Sequence, residues 1–197
     1  MNPLPQRKNI RLKHYDYSQA GYYFITICTH KKQHLLSSIV GGGFHAAHTP
    51  FNTEPKIELT IIGKEILKTI EYIDTNYINV KFDKFVIMPN HIHFIVILGE
   101  IESKESSNLD RYCKDNGNLD AATGRRGNLP LQRVVGQLKS YTNRMYNAFN
   151  KREDLILWQR NYYEHIIRND QEYEEIYEYI ETNPLKWQED KYFIDDP

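Results

Sequence analysis

The spacing of apolar side chains predicts the first strand and the first helix of this chain. Residues 22–29 are β-branched and aromatic, with Gly21 before them and a polar Lys-Lys-Gln-His run soon after them, which is typical of a strand. Residues 57–73 instead carry apolar side chains every three to four positions, at Ile62, Ile66, Ile70 and Ile73. That period predicts an amphipathic helix.

The rest of the chain continues this alternation. The pattern predicts a strand, a second strand, a helix, a strand and a final helix over residues 81–86, 92–98, 131–149, 162–167 and 171–183. The final helix ends before Pro184, because the residue before a proline disfavours helical geometry. The order β-α-β-β-α-β plus a terminal helix predicts an α+β fold, a ferredoxin-like (RNA-recognition-motif-like) antiparallel sheet with helices on one face.

Two polar segments interrupt the pattern. Residues 41–55 hold three Gly and two Pro, and residues 99–130 are rich in Ser, Asn, Asp, Gly and charge. We expect both to be flexible excursions from a single domain over residues 1–197. That domain begins with a basic N-terminal arm over residues 1–20.

Composition limits the class of protein. The 197 residues, 40% hydrophobic and 26% charged, suit one domain with a substantial core. No run approaches the roughly 18 consecutive apolar residues of a membrane span, and the first residues lack the apolar stretch of a secretory signal. Cys28 and Cys113 are too few for a disulfide framework or a Cys-rich zinc site. A cytoplasmic protein is therefore expected.

Charge is unevenly distributed along the chain. The formal net charge of −1 argues against a nucleic-acid binder, because such proteins usually carry a basic excess. Residues 1–163, however, hold 22 Lys and Arg against 15 Asp and Glu, whereas residues 164–197 hold 3 against 11. A basic body with an acidic end can still present a positive groove. The 15 Tyr suit a surface that stacks on planar ligands or a site that needs a phenol.

Two histidines stand two positions apart in a predicted strand. Side chains two apart on a strand share a face, so His91 and His93 project together while Ile92 and Phe94 face the other way. Two adjacent imidazoles can chelate one cation. The alternative is one hydrogen-bonded core histidine and one histidine at the strand end.

The final helix offers a third ligand. Tyr179 and Asn183 are four residues apart and share a stripe of the helix with Ile176 and Ile180. An inward Asn needs hydrogen-bond partners or a cation, because burying an unpaired amide costs about 1–3 kcal/mol. Taken alone, an Asn at this position is more often a helix C-terminal residue than a ligand, and the spacing of the neighbouring tyrosines Tyr173 and Tyr177 is that of packing residues.

Six short motifs occur in a fixed order along the chain, at residues 10–12, 15–18, 21–24, 88–93, 157–160 and 179–184. The most specific are Met-Pro-Asn-His-Ile-His and, later, Tyr-Ile-Glu-Thr-Asn-Pro. With these motifs the chain resembles the REP-associated tyrosine transposases, relatives of the single-strand transposases of the smallest bacterial insertion sequences within the HUH endonuclease superfamily. The two polar excursions lie outside the resemblance.

The resemblance implies a metal-dependent single-stranded or hairpin DNA endonuclease and strand transferase that acts through a 5′-phosphotyrosine intermediate. It makes Tyr179 the nucleophile on the C-terminal helix. It makes His91, His93 and Asn183 the ligands of a divalent ion, Mg²⁺ or Mn²⁺, although insertion-sequence relatives commonly carry Gln at the third position. Such a protein would act as a monomer or homodimer on palindromic-repeat DNA, associated with the nucleoid when bound.

The same resemblance gives the N-terminal arm a role on DNA. It implies contacts to phosphates or bases beside the hairpin from Arg7, Lys8, Arg11 and Lys13. Further candidates for backbone contacts are Lys139, Arg144, Arg125 and Arg126. Without the resemblance, the arm is an ordinary solvated tail.

Two other functions are compatible with parts of the sequence. A domesticated module could bind nucleic acid through sheet aromatics with weak or no cleavage. A metal enzyme for small molecules could use His-x-His as cupin barrels do. That second function requires many short strands, and it does not account for Tyr179 and Asn183.

Overall fold

A computed structural model describes residues 19–41, 55–99 and 129–194. These ranges contain six strands and three helices: β1 Gly21–Cys28, β2 Ser37–Val40, β3 Lys56–Leu59, α1 Ile61–Asn76, β4 Val80–Ile87, β5 His91–Leu98, α2 Leu131–Phe149, β6 Tyr163–Ile167 and α3 Asp170–Thr182. The N-terminal arm and most of both polar segments lie outside the described residues. None of the three helices is long and apolar enough to cross a membrane.

The main sheet has the strand order β4-β5-β1-β6, and every neighbouring pair is antiparallel. Together with the element order, this confirms the predicted α+β, ferredoxin-like fold. Helices α1 and α2 pack on one face, where the sheet contributes Tyr23, Ile25, Ile27, Phe94 and Val96 to a buried core. Because strand side chains alternate, Phe24 and its even-numbered neighbours in β1 face the other side.

The predicted first helix begins too early. Residues 57–59 belong to strand β3, which pairs with β2 in a separate two-stranded sheet, and α1 starts only at Ile61. Thr60 caps this helix by accepting a hydrogen bond from the Gly63 amide at 3.0 Å. A Thr directly before an apolar run is an N-cap signal that marks the true start.

Helix α3 packs on the opposite face of the sheet from α1 and α2. Of its predicted inward stripe, Ile180 and Asn183 are buried and Ile176 and Tyr179 are half-buried. Ile180 packs against Phe24, Ile95 and neighbouring residues. Polar contacts at both of its ends fix its position. The Tyr173 hydroxyl donates to Asp83, which sits at a bulge in β4. Lys84 Nζ donates to Glu181 at 3.1 Å, His165 Nε2 lies 2.6 Å from Glu172, and Asn169 caps the first turn.

Candidate functional site

The two histidines lie at the start of β5, on the face that α3 covers. Both side chains are completely buried, and their ring centroids are 4.4 Å apart. Ile92 and Phe94 face the α1/α2 core instead. The predicted shared face is therefore confirmed, and it brings two imidazoles together beneath the end of α3.

The orientation of His91 is set by its neighbour in the chain. Asn90 donates its amide to the Tyr192 carbonyl at 2.9 Å, so the Asn90 carbonyl oxygen is the atom 2.8 Å from His91 Nδ1. A carbonyl only accepts, and Nδ1 must therefore carry the proton. His91 Nε2 then offers a lone pair, and it is buried without a hydrogen-bond partner among the described residues.

His93 joins the sheet to the candidate nucleophile. Its Nδ1 lies 2.8 Å from the hydroxyl of buried Thr26 on β1, and its Nε2 lies 3.2 Å from the Tyr179 hydroxyl. The ring also stacks on Phe24, with a centroid distance of 5.4 Å. Tyr179 and His93 are therefore within hydrogen-bond reach across the sheet–helix boundary.

Asn183 follows the last residue of α3 and is buried, with an exposed fraction of 3%. Its amide nitrogen donates to Asp190 Oδ2 at 2.6 Å. The carbonyl oxygen has no hydrogen-bond partner in the part of the chain that the structure describes. Asn183 thus presents a second unused lone pair, on a side chain that is hydrogen-bonded to Asp190.

Sequence reasoning missed Asp190. The chain turns back after α3 through a short 3-10 segment, Trp187–Glu189, and brings this carboxylate to the site. Asp190 Oδ2 accepts from Tyr179 at 3.3 Å as well as from Asn183, while Oδ1 accepts from the Tyr192 amide at 2.6 Å. Nothing in its local sequence separates it from the other acidic residues of the last 34 positions, and only the fold identifies it.

Burial controls the protonation of the site. Desolvation lowers the pKa of His91 and of His93 well below the ordinary histidine value, so both imidazoles are neutral at physiological pH. Burial and the nearby Asp190 carboxylate raise the pKa of Tyr179, so the phenol keeps its proton. Neutral imidazoles are the form that ligates metals.

These donors fit a metal ion. One ligand atom from each of His91, His93 and Asp190 lies within 4.8 Å of the other two, so this group could hold a cation. Two buried lone pairs, on His91 Nε2 and Asn183 Oδ1, have no other described use. Imidazole nitrogens combined with amide and carboxylate oxygens form a set that a divalent ion accepts.

Two of the predicted basic residues are described by the structure, and neither is at this site. Lys139 and Arg144 lie on α2, on the opposite face of the sheet, and the Lys139 ammonium donates to the carbonyls of residues 159 and 160 at 2.7 and 2.9 Å. The four arm residues Arg7, Lys8, Arg11 and Lys13 lie outside the described residues, as do Arg125 and Arg126. Their predicted role on DNA stays a prediction.

Comparison with known proteins finds a similar curated protein and similar solved structures, and no family model matches the chain. A protein of Haemophilus influenzae, described as an uncharacterized protein, is 33% identical over 192 residues, which cover 98% of this chain and 96% of the relative. The chain is also similar to a solved structure of a REP-associated tyrosine transposase bound to a REP hairpin. The structural match covers 90% of this chain and 74% of the transposase chain, with a TM-score of 0.48 and 17% sequence identity.

Proposed function

This chain belongs to the same family as the Haemophilus influenzae protein. From the geometry of the candidate site in this chain, we propose a function. It is a metal-dependent endonuclease and strand transferase for single-stranded or hairpin DNA, with Tyr179 as nucleophile. The observation that carries this proposal is the position of the Tyr179 hydroxyl, 3.2 Å from His93 Nε2 and 3.3 Å from Asp190 Oδ2. The resemblance of the sequence motifs to REP-associated tyrosine transposases supports it independently.

The metal would be held by the two imidazoles and the Asn183 carbonyl oxygen. His91 Nε2 and Asn183 Oδ1 suit this role because each is a buried acceptor without another partner among the residues described. Mg²⁺ or Mn²⁺, when bound, supplies positive charge that polarises the scissile phosphate. These three ligands are neutral, and the negative charge closest to the two imidazoles is that of Asp190, one of whose oxygens lies within 4.8 Å of a nitrogen of each.

The covalent step conserves atoms and electrons. The Tyr179 oxygen attacks the phosphorus of the scissile phosphodiester, and the bond from phosphorus to the 3′-oxygen breaks. The products are a 5′-phosphotyrosine on the protein and a 3′-hydroxyl on the DNA, whose oxygen takes a proton from solvent. Rejoining is the reverse attack by a 3′-hydroxyl, which restores the free phenol.

The phenol must lose its proton as it attacks. Its pKa is raised above the ordinary tyrosine value by burial and by the Asp190 charge, so an acceptor has to be close. Asp190 Oδ2 is the nearest carboxylate oxygen, and it already accepts a hydrogen bond from this hydroxyl. We assign it the role of general base for the attack.

The test is capture of the covalent intermediate. A labelled hairpin DNA with a single-stranded extension is incubated with the protein and Mn²⁺, and attachment is read on a denaturing gel. We expect attachment with the parent and none with Tyr179→Phe, which keeps the ring but has no nucleophile. Tyr177→Phe is the matched control on the same helix and should retain attachment. Attachment to Tyr179→Phe would contradict the assignment.

Metal dependence gives a second test of the same proposal. His91→Ala or His93→Ala should abolish attachment at limiting Mn²⁺ while the far-UV circular dichroism spectrum keeps its native shape. A parent protein that binds the hairpin but never forms the adduct would favour the alternative function, a nucleic-acid-binding module without cleavage.

A further inference from the structure

A row of side chains leads from the candidate metal site to the edge of the sheet. In the strand register His93 lies opposite Thr26, and Thr26 lies opposite Tyr163. Directly opposed residues of antiparallel strands share a face. Tyr163 is therefore on the same face as the histidines, on the edge strand β6, with 39% of its surface exposed.

This end of the sheet continues the aromatic packing of the site. The Tyr163 ring contacts Phe24 edge-on at 6.2 Å, and Phe24 in turn contacts His93 and Tyr179 at 5.4 and 6.1 Å. Helix α3 packs mainly against β4 and β5, and no helix within residues 19–41, 55–99 and 129–194 covers the β6 side of this face. An exposed aromatic at that position is available to a planar ligand.

Two lysine ammonium groups lie next to the rings of Tyr163 and Tyr192. Lys191 Nζ lies 5.5 Å from the Tyr163 centroid and 5.0 Å from that of Tyr192, and Lys32 Nζ lies 5.5 Å from Tyr192. The Tyr192 ring is itself 4.7 Å from His91. Lys32 Nζ also donates to the Lys191 carbonyl at 3.3 Å. Within the described ranges neither lysine forms a salt bridge, so no carboxylate there neutralises either charge.

The other side of Tyr179 has the opposite charge. A surface cleft of about 370 Å³ opens there, lined by Tyr179 and Asn183 and by an acidic excess, with Glu175, Glu178, Glu189 and Asp190 against Lys186. Phosphates are repelled by these carboxylates and attracted by the two lysines. A polyanion that reaches the Tyr179 hydroxyl must therefore come from the lysine side.

We propose that Tyr163, Lys191, Tyr192 and Lys32 form a binding strip for the unpaired DNA strand that delivers the scissile phosphate to Tyr179. Tyr163 stacks on a base, and the two lysines contact flanking phosphates. Aromatic stacking combined with a cationic track is how proteins bind single strands without reading their sequence. The strip rests on the proposed function and adds the direction from which the substrate enters.

The experiment measures binding of a fluorescent hairpin with and without a single-stranded extension. Tyr163→Ala should weaken binding of the extended hairpin about tenfold, within the range for one lost base stack, and Tyr163→Phe should restore it. The pair Lys32→Gln and Lys191→Gln should reduce the slope of log affinity against log salt by about 0.7 per lysine. The hairpin without extension should bind all variants equally.

Matched controls use exposed residues away from the strip: Tyr72→Ala, and the pair Lys64→Gln and Lys151→Gln. Parent-like binding of the extended hairpin by the strip variants, or an equal loss in the controls, would overturn the strip even if the parent still forms the covalent adduct. A parent that neither binds the extended hairpin nor forms the adduct would instead refute the proposed function.

Discussion

Each of the two site histidines is oriented by a hydrogen-bond partner, one adjacent to it in the sequence and the other far from it. His91 is held by Asn90, its neighbour in the Met-Pro-Asn-His-Ile-His motif, whereas His93 is held by Thr26, on a strand 67 positions earlier. Residues that hydrogen-bond the far nitrogen of a metal-binding imidazole fix both its tautomer and its direction. The motif therefore contains the hydrogen-bond partner of His91, whereas the partner of His93 comes from a neighbouring strand of the sheet.

Thr26 should control metal affinity without touching the metal. In Thr26→Val the shape is kept, but His93 Nδ1 loses its buried partner at 2.8 Å. We expect Mn²⁺ affinity to fall by about 10–100-fold, measured by isothermal titration calorimetry. Thr26→Ser retains the hydroxyl and should bind nearly as the parent does. Equal affinity of the Val and Ser variants would argue against this positioning role.

The buried imidazoles should make the stability of the metal-free protein depend on pH. Burial lowers the pKa of His91 to about 3, and it also lowers that of His93. Below a pH of about 6.5 the unfolded chain gains protons at these residues that the folded chain does not. The free energy of unfolding should therefore fall as pH falls, by up to about 1.4 kcal/mol per pH unit for each histidine.

Urea unfolding in EDTA between about pH 7.5 and about pH 5.5, roughly one unit to either side of the reference histidine pKa, measures this slope. The variant with His91→Gln and His93→Gln is the control, because it retains the carboxylates that also titrate. A slope in this variant as steep as that of the parent would show that the histidines are not its source.

At the scale of elements, periodicity predicts whether each long segment is a helix or a strand. It fails where a short strand directly precedes a helix. Helix α2 and the strands of the main sheet follow directly from their three-four and alternating patterns. Strand β3 is missed because Leu59 lies three residues before Ile62 and therefore extends the helical series backward. The pattern predicts neither β2 nor its pairing with β3, because this pairing is a long-range contact that no local period encodes.

Two helical glycines form a matched pair for testing helix packing. A Cβ at Gly63 in α1 would lie 2.1 Å from the Leu36 backbone oxygen, whereas a Cβ at Gly136 in α2 meets nothing within 4 Å. Gly63→Ala should destabilise the fold by about 1–3 kcal/mol through overpacking. Gly136→Ala should stabilise it by up to about 1 kcal/mol, because Ala is the better helix former. Urea unfolding compares them, and a destabilisation shared by both would point to a cause other than the Leu36 contact.

At the scale of the whole molecule, the candidate site combines one local motif with parts that the sequence keeps far apart. The motif predicts the histidine pair, and helical spacing predicts that Tyr179 and Asn183 face the same way. Asp190 and Tyr192 reach the site only because the chain reverses after α3 and is tied to Asn90 by a bond spanning 102 positions. One of the acidic residues near the C-terminus, Asp190, is therefore part of the site.

The residues that flank the long polar segment on both sides are hydrogen-bonded to one residue, Asn79. The Gly99 amide donates to the Asn79 carbonyl at 2.9 Å, and the Leu129 amide donates to the Asn79 side-chain oxygen at 3.0 Å. The side-chain nitrogen of buried Asn79 completes this link by donating to the Leu129 carbonyl at 3.3 Å. The two ends that flank residues 100–128 are thus fastened to the same point.

This anchoring predicts that a short Gly/Ser turn can replace residues 100–128 with little loss of stability. Closure entropy changes by only about 0.6 kcal/mol for each twofold change in loop length, so urea unfolding of the replaced variant should lie close to the parent. Asn79→Ala in the full chain is the comparison, because it leaves the Leu129 amide without its partner at a cost of about 1–3 kcal/mol. If the replaced variant does not fold while Asn79→Ala does, the segment contributes core contacts that its polar composition does not predict.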